Sequence, residues 1–154
     1  MLNELLSANR AELIERCQTK VARRPAPYPT WDEMKFGIPI FLDQLIEMLH
    51  LDQQSNAFEI SDEPASKKEL SERVSSSAKR HAVELQNRGL TVDQVVHDYG
   101  DLCQAVTELA FERNANIDVR EFHTLNRLLD NAIAAAVTEY CSRPASAGSR
   151  QVKP

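Results

Sequence analysis

The densest group of chemically capable side chains lies between residues 95 and 108. His97 and Asp101 are four residues apart, and positions four apart on a helix share one face, so this pair could hydrogen-bond. Such a histidine could act as a ligand contact, a proton acceptor or a phosphoacceptor. We define the candidate ligand or partner face as His97, Asp98, Asp101, Gln104 and Glu108. A solvated face with a local ion pair explains the same spacing, because structural ion pairs surround histidines too.

Phosphotransfer through His97 is one alternative function. An exposed histidine on a helix of a bundle fits a phosphoacceptor. A basic residue three or four positions further on would steady the phosphoryl group, but Gly100 and Asp101 occupy those positions. The carboxylate of Asp101 would repel a phosphate, and this counts against phosphotransfer.

Haem or another bound ligand is a second alternative. A haem protein needs a proximal histidine that faces an apolar cavity. His81 lies on the apolar stripe of its segment, whereas His97 lies opposite such a stripe. A histidine packed in the core is the more common explanation for His81, so we predict neither a cofactor nor a metal.

The segment that carries the candidate face has a well-marked start. Thr91 and Gln94 have the spacing of a capping box, in which each side chain bonds the backbone amide of the other residue. The helix should reach residue 112 or 113. Its apolar side holds Val95, Tyr99, Leu102, Val106 and Leu109, and the candidate face lies opposite.

The remaining pattern predicts an all-α bundle of five helices. We place them at about residues 2–21, 30–50, 66–88, 91–113 and 118–140. Further capping boxes begin at Thr30 and Asp118, and Gly89 supplies a left-handed helix stop. Gly37 and Pro39 predict a kink near residues 35–39.

The connecting segments are read from composition. Residues 52–66 are polar and aperiodic, which predicts a mobile loop, and the third helix after it could break into pieces. We expect Tyr28 and Trp31 to clamp the proline-rich loop onto the bundle. Residues 1–141 form the predicted domain, and residues 142–154 a linker or disordered tail.

Composition excludes several classes of protein. The 154 residues carry 23 acidic and 18 basic side chains, a net charge of -5, whereas nucleic-acid binders usually present a net basic face. No apolar run is long enough for a membrane span. The odd number of cysteines, three, is typical of buried thiols in a reducing compartment. We therefore expect a cytoplasmic protein that binds neither nucleic acid nor membrane.

Five stretches of the sequence carry a resemblance to a known family. They are RRPAPYP at 23–29, GIPIFLDQL at 37–45, GLTVDQVVHDYGDLCQAVTELA at 89–110, EFHTLN at 121–126 and DNAIAAAVTEY at 130–140. Together they resemble the N-terminal domain of RsbT co-antagonist proteins, which also precedes the catalytic parts of many bacterial sensor histidine kinases. The resemblance spans about residues 10–141.

The resemblance implies a regulatory or sensory module that signals to an output domain, with a globin-like fold that lacks haem. The implied partners are downstream kinase domains in cis or a kinase or regulator in trans, and the implied assembly is a homodimer. The family has no catalytic residues to carry over, so we expect this chain not to be an enzyme. His97, Asp98, Asp101 and Gln104 match the signature stretch, and helix repacking is the expected means of signalling.

Overall fold

The described part of the chain is all-α, as the sequence predicts. The computed structural model describes residues 1–58 and 64–142, apart from the side chains of residues 55–71 and 74. Within these ranges there are six α-helices and no strand. The helices are α1 (Leu2–Ala8), α2 (Arg10–Arg23), α3 (Ile38–Phe58), α4 (Pro64–Asn87), α5 (Val92–Glu112) and α6 (Val119–Ser142).

The predicted first helix is in fact two helices, so the prediction of five was wrong by one. Asn9 separates α1 from α2, with φ −115° and ψ 24°. Its side-chain amide donates a hydrogen bond to the carbonyl oxygen of Leu5 at 2.8 Å. Asparagine competes for backbone groups in this way, and the apolar period gives no sign of it because Leu6 and Leu13 are buried on both sides of the break.

The polar segment after the second predicted helix is more ordered than its composition suggests. α3 continues to Phe58 and α4 already begins at Pro64, so the prediction of a loop over 52–58 and 64–66 was wrong. Residues 59–63 of that predicted loop lie outside the described ranges, as do residues 143–154 of the predicted tail. α4 is one continuous helix rather than several pieces, because Ala78, Ala82 and Leu85 bury a stripe that holds it against the bundle.

The distortion expected near residues 35–39 is a π-helical turn. It covers Glu33–Gly37 and runs directly into α3. Pro39 follows at the second position of α3, and because helical residues already precede it, its missing amide hydrogen and its ring disturb the ladder at this place. A Cβ atom on Gly37 would lie 3.0 Å from Cδ2 of Leu90, so the turn packs closely against the loop that precedes α5.

Helix ends follow the predicted chemistry. The Thr91–Gln94 capping box is complete, with both bonds present at 3.2 and 2.9 Å. Gly89 has φ +82°, and the amides of Gly89 and Leu90 return to the carbonyls of Gln86 and Leu85, a Schellman motif. This motif places Leu90 in the core.

One hydrophobic core joins all six helices. α5 contributes the predicted Val95, Tyr99, Leu102, Val106 and Leu109, together with Ala105, and all six are at most 2% exposed. No helix among the described residues is long and apolar enough to cross a membrane.

Tyr28 and Trp31 do not clamp their loop onto the core as predicted. Their side chains are 81% and 65% exposed. Trp31 packs edge-on against the ring of Phe36 at 5.4 Å, and the ammonium of Lys35 lies 4.5 Å from the Trp31 ring centre. These contacts are local, because the π-helical turn brings residues 31–36 together on the surface.

Candidate functional site

The candidate face is divided by the structure into an outer and an inner part. His97, Gln104 and Glu108 are exposed on α5. Asp101 is partly buried, and Asp98 is only 2% exposed. Position 98 falls at the edge of the apolar stripe, one residue before the buried Tyr99, so its carboxylate turns inward. The five residues therefore do not form one solvated face.

His97 pairs with a different aspartate from the one its spacing suggested. Its Nε2 atom lies 3.4 Å from Oδ1 of Asp93, one turn earlier on α5. Both side chains are about half exposed, at 48% and 62%. An exposed pair of this kind contributes little to stability.

The outer residue Glu108 holds α5 to α2. Its Oε1 accepts a hydrogen bond from the ammonium of Lys20 at 2.7 Å. One turn further along, Glu112 accepts two hydrogen bonds from the guanidinium of Arg16. These contacts explain the acidic outer stripe of α5 as a packing surface for α2.

The inner part belongs to a buried charge cluster that we define as Arg24, Glu33, Asp98 and Asp101. Nη2 of Arg24 donates to both carboxylate oxygens of Glu33, at 2.8 and 2.9 Å. Nη1 of Arg24 donates to Oδ1 of Asp98 at 3.3 Å and lies 3.8 Å from Oδ2 of Asp101. The side chains of Arg24, Glu33 and Asp98 are 6%, 0% and 0% exposed.

Three elements converge to build this cluster. Arg24 follows the end of α2, Glu33 opens the π-helical turn, and the two aspartates lie one turn apart on α5. Nε of Arg24 also donates to the carbonyl of Pro27 at 2.8 Å. The loop between α2 and the π-helical turn thus folds back over its own arginine, which excludes water from the guanidinium.

A second contact fixes the same loop to α5. Nε2 of Gln94 donates to the carbonyl of Tyr28 at 3.3 Å, while the Gln94 side-chain oxygen accepts from the Thr91 amide. On the other side of the loop, the Thr30 hydroxyl accepts from the Glu33 amide at 3.2 Å. The predicted box at Thr30 is therefore half formed, because the Glu33 carboxylate binds Arg24 instead of the Thr30 amide.

The electrostatics of the cluster are unbalanced. One guanidinium faces three carboxyl groups, and burial raises the pKa of Asp98 to about 8, with the charge of Glu33 acting in the same direction. Burial also raises the pKa values of Glu33 and Asp101. Two oxygen atoms, Oδ2 of Asp98 and Oδ2 of Asp101, are buried with no hydrogen-bond partner among the described residues.

The sequence reasoning did not identify Arg24 or Glu33. In the sequence, Arg24 lies at the proline-rich boundary of the first predicted helix, and Glu33 is the last residue of the capping box that begins at Thr30. A signal was present, because Arg24 directly precedes the helix-breaking Pro25-Ala26-Pro27 run, and a cation at such a helix end is often fixed by local carbonyls.

His81, the other candidate histidine, lies at the boundary between α3 and α4. Its Nε2 atom is 3.4 Å from Oε2 of Glu47, and the same oxygen accepts a hydrogen bond from the Ser77 hydroxyl at 3.2 Å. Its side chain is 15% exposed. No three metal-binding side chains of the described residues come together around a point that could hold an ion.

The cluster is connected to the last helix through the loop that precedes α5. Glu33 and Gly37 bound the π-helical turn, and Gly37 packs against the Leu90 side chain. The carbonyl of Leu90 accepts a hydrogen bond from the Tyr140 hydroxyl at 2.7 Å, near the end of α6. A displacement of the π-helical turn would therefore press on Leu90, whose carbonyl is hydrogen-bonded to α6.

Comparisons of the chain with protein-family models, curated proteins and solved structures give no match.

Proposed function

We propose that the chain is a non-catalytic signal-input domain of a bacterial sensor histidine kinase, with the kinase domains attached in cis or contributed by a partner in trans. A signal received at the buried charge cluster or at the outer His97 face shifts α5 and α6 against each other. The last helix then passes this shift to the output domain.

The observation that carries the proposal is the continuous path from Glu33 through Gly37 and Leu90 to Tyr140. Each step is a packing contact, a hydrogen bond or a shared turn of backbone. The path begins at ionisable groups and reaches the last turn of α6. Contiguous packed elements of this kind can transmit a displacement, provided that the element has two arrangements.

The proposal includes a homodimer, as the sequence resemblance implies. Phe111 and Val119, on either side of the turn between α5 and α6, are 85% and 84% exposed, and Val137 on α6 is 38% exposed. Phe111 lies in the last turn of α5 and Val119 begins α6, whereas Val137 lies near the other end of α6, so the end that carries Phe111 and Val119 is the surface we propose for contact with a second copy. Analytical ultracentrifugation of the full chain at several concentrations tests this part directly.

The test of function is an autophosphorylation assay on the kinase that contains or binds this chain. An immunoblot of native cells first decides between the two arrangements, because a band far above 17.4 kDa indicates attachment in cis. Tyr140→Phe removes the hydroxyl that bonds Leu90 and should change the signal-dependent rate. Tyr28→Phe, at an 81% exposed position, is the matched control and should not.

Two outcomes would contradict the proposal. The first is an autophosphorylation rate that stays unchanged when the domain is removed from the kinase or when the chain is omitted in trans. For the outer face alone, an unchanged signal response in the double variant His97→Ala, Asp101→Ala would exclude it as the place where the signal binds.

Phosphotransfer through His97 is the second candidate, favoured by the 48% exposure of its side chain. Acid-labile phosphate on His97 after incubation with a labelled kinase would support it. The carboxylate of Asp93 at 3.4 Å opposes it, because this group would repel a phosphoryl group on the same nitrogen.

A further inference from the structure

We propose that the buried charge cluster is a proton-binding site, in which the carboxyl group of Asp98 holds a proton that is released when the pH rises. Proton release is then an input that the domain senses, and this signalling role rests on the proposed function. The proton site itself stands on the geometry of the cluster.

The count of charges is the first argument. Arg24 supplies one positive charge, whereas Glu33, Asp98 and Asp101 supply three negative charges when all are ionised. Arg24, Glu33 and Asp98 have side chains that are at most 6% exposed, and Asp101 is 17% exposed. An unpaired buried charge is costly enough that the group usually becomes neutral instead.

The hydrogen bonds show which carboxyl group holds the proton. Both oxygens of Glu33 accept from Arg24, whereas Asp98 receives a single bond, at 3.3 Å, on Oδ1. Oδ2 of Asp98 is buried without a partner among the described residues. Glu33 and Asp98 are bound to the same guanidinium, through Nη2 and Nη1 of Arg24 respectively. A proton on Oδ2 of Asp98 neutralises the carboxyl group that Arg24 binds less closely.

The other basic groups near the cluster, Lys20 and His97, act on Asp101, where they lower the pKa against the effect of burial. On α2, the Lys20 ammonium is bonded to Glu108 at 2.7 Å, and the buried thiol of Cys17 is uncharged. On α5, His97 pairs with Asp93, and the partly buried Asp101 adds a further negative charge next to Arg24. The π-helical turn contributes Glu33 alone among the groups that act on Asp98.

The pKa of Asp98 agrees with this geometry. Burial raises it to about 8, with Glu33 adding to the shift and Arg24 opposing it. An aspartate in an unfolded chain titrates near 3.9. The folded state therefore holds the proton more tightly, so its stabilising effect is complete below about pH 4 and is lost as the pH rises through about 8.

Loss of the proton places two carboxylates next to each other on two different elements. Repulsion between Glu33 on the π-helical turn and Asp98 on α5 then acts at the start of the path that leads through Leu90 to Tyr140. A carboxyl pair that spans two elements in this way couples ionisation to their separation.

The experiment is a pH titration of side-chain carboxyl carbons by NMR on the full chain, ¹³C-labelled at aspartate and glutamate. We expect one aspartate resonance to titrate with a midpoint near 8, far from the others, and to be absent in Asp98→Asn. A spectrum in which every carboxyl group titrates below about pH 5 would overturn the proposal.

A second measurement covers the case in which Asp98→Asn folds poorly. Thermal midpoints of the wild-type chain should fall between about pH 6 and 9 by more than those of Asp98→Asn, while the exposed control Asp93→Asn should follow the wild type. Equal slopes in all three proteins would contradict a bound proton. If the titration is found but kinase activity ignores pH, the proton site stands and its signalling role fails.

Discussion

The guanidinium of Arg24 donates two hydrogen bonds to the carboxylate of Glu33, at 2.8 and 2.9 Å, with both side chains closed off from solvent. The two residues are nine apart in the sequence and are brought together by the proline-rich loop between α2 and the π-helical turn. This pair fixes the entry to α3, and Asp98 attaches it to α5.

Replacement of Arg24 by alanine should lower the free energy of unfolding by about 3–5 kcal/mol. The substitution leaves Glu33 and Asp98 buried without their cation, and removal of one partner of a buried pair has this cost. Urea denaturation followed by circular dichroism measures the effect.

The matched control for that variant is Arg10→Ala. Arg10 also makes two bonds to a carboxylate, that of Asp43, but the two side chains are 45% and 52% exposed. An exposed pair contributes about 0–1 kcal/mol. Equal losses in the two variants would show that the Arg24 cluster is solvated in solution.

The two helical glycines of the described chain should respond to alanine in opposite directions. Gly37→Ala places a Cβ atom 3.0 Å from Leu90, and crowding in a packed core costs about 1–3 kcal/mol. Gly100→Ala on α5 meets nothing within 4 Å and should stabilise by about 1 kcal/mol, since alanine is the better helix former. Thermal denaturation of both variants provides the comparison.

Tyr99→Phe should destabilise the chain by about 1–3 kcal/mol. The Tyr99 hydroxyl donates to Oε1 of Gln44 at 2.7 Å inside the core, and Nε2 of Gln44 already has no partner among the described residues. The substitution leaves the whole buried amide without hydrogen bonds. Tyr28→Phe, on the surface, should change the free energy of unfolding by less than about 0.5 kcal/mol.

The three cysteines should react with a chromogenic thiol reagent in the order of their exposure. Cys141 is exposed on α6 and should react first, followed by the partly buried Cys103. Burial raises the pKa of Cys17 to about 12, so its thiolate is scarce at pH 8 and shielded as well. Rapid modification of Cys17 in the folded protein would contradict the packing of α2. All three thiols should react at similar rates in concentrated urea.

The fold class and most helix ends could be predicted from the sequence because local chemistry determines them. The capping box at Thr91, the left-handed Gly89 and the apolar stripe of α5 each depend on residues within one or two turns. The break at Asn9 could not be predicted from the sequence, because the spacing of apolar residues continues across it. The lengths of α3 and α4 were missed because their polar ends show no apolar period.

The candidate site was predicted only in part, for a related reason. The local density of polar groups around His97 indicates a candidate site, and this stretch does carry Asp98 and Asp101 of the cluster. The partners of these aspartates are Arg24 and Glu33, which α3 and α4 separate from α5 along the sequence. Only tertiary packing brings Arg24 and Glu33 next to α5. A single sequence does not show which distant residues come into contact.

The position of Trp31 has a practical consequence for optical spectroscopy. It is the one tryptophan in the chain, and its ring lies on the surface beside Phe36 and Lys35 rather than in the core. Its fluorescence will therefore report the local geometry of the π-helical turn, two residues from Glu33, and will be nearly insensitive to the packing of the distant helices. The chain thus carries an intrinsic emission probe of this turn, with no label to be introduced.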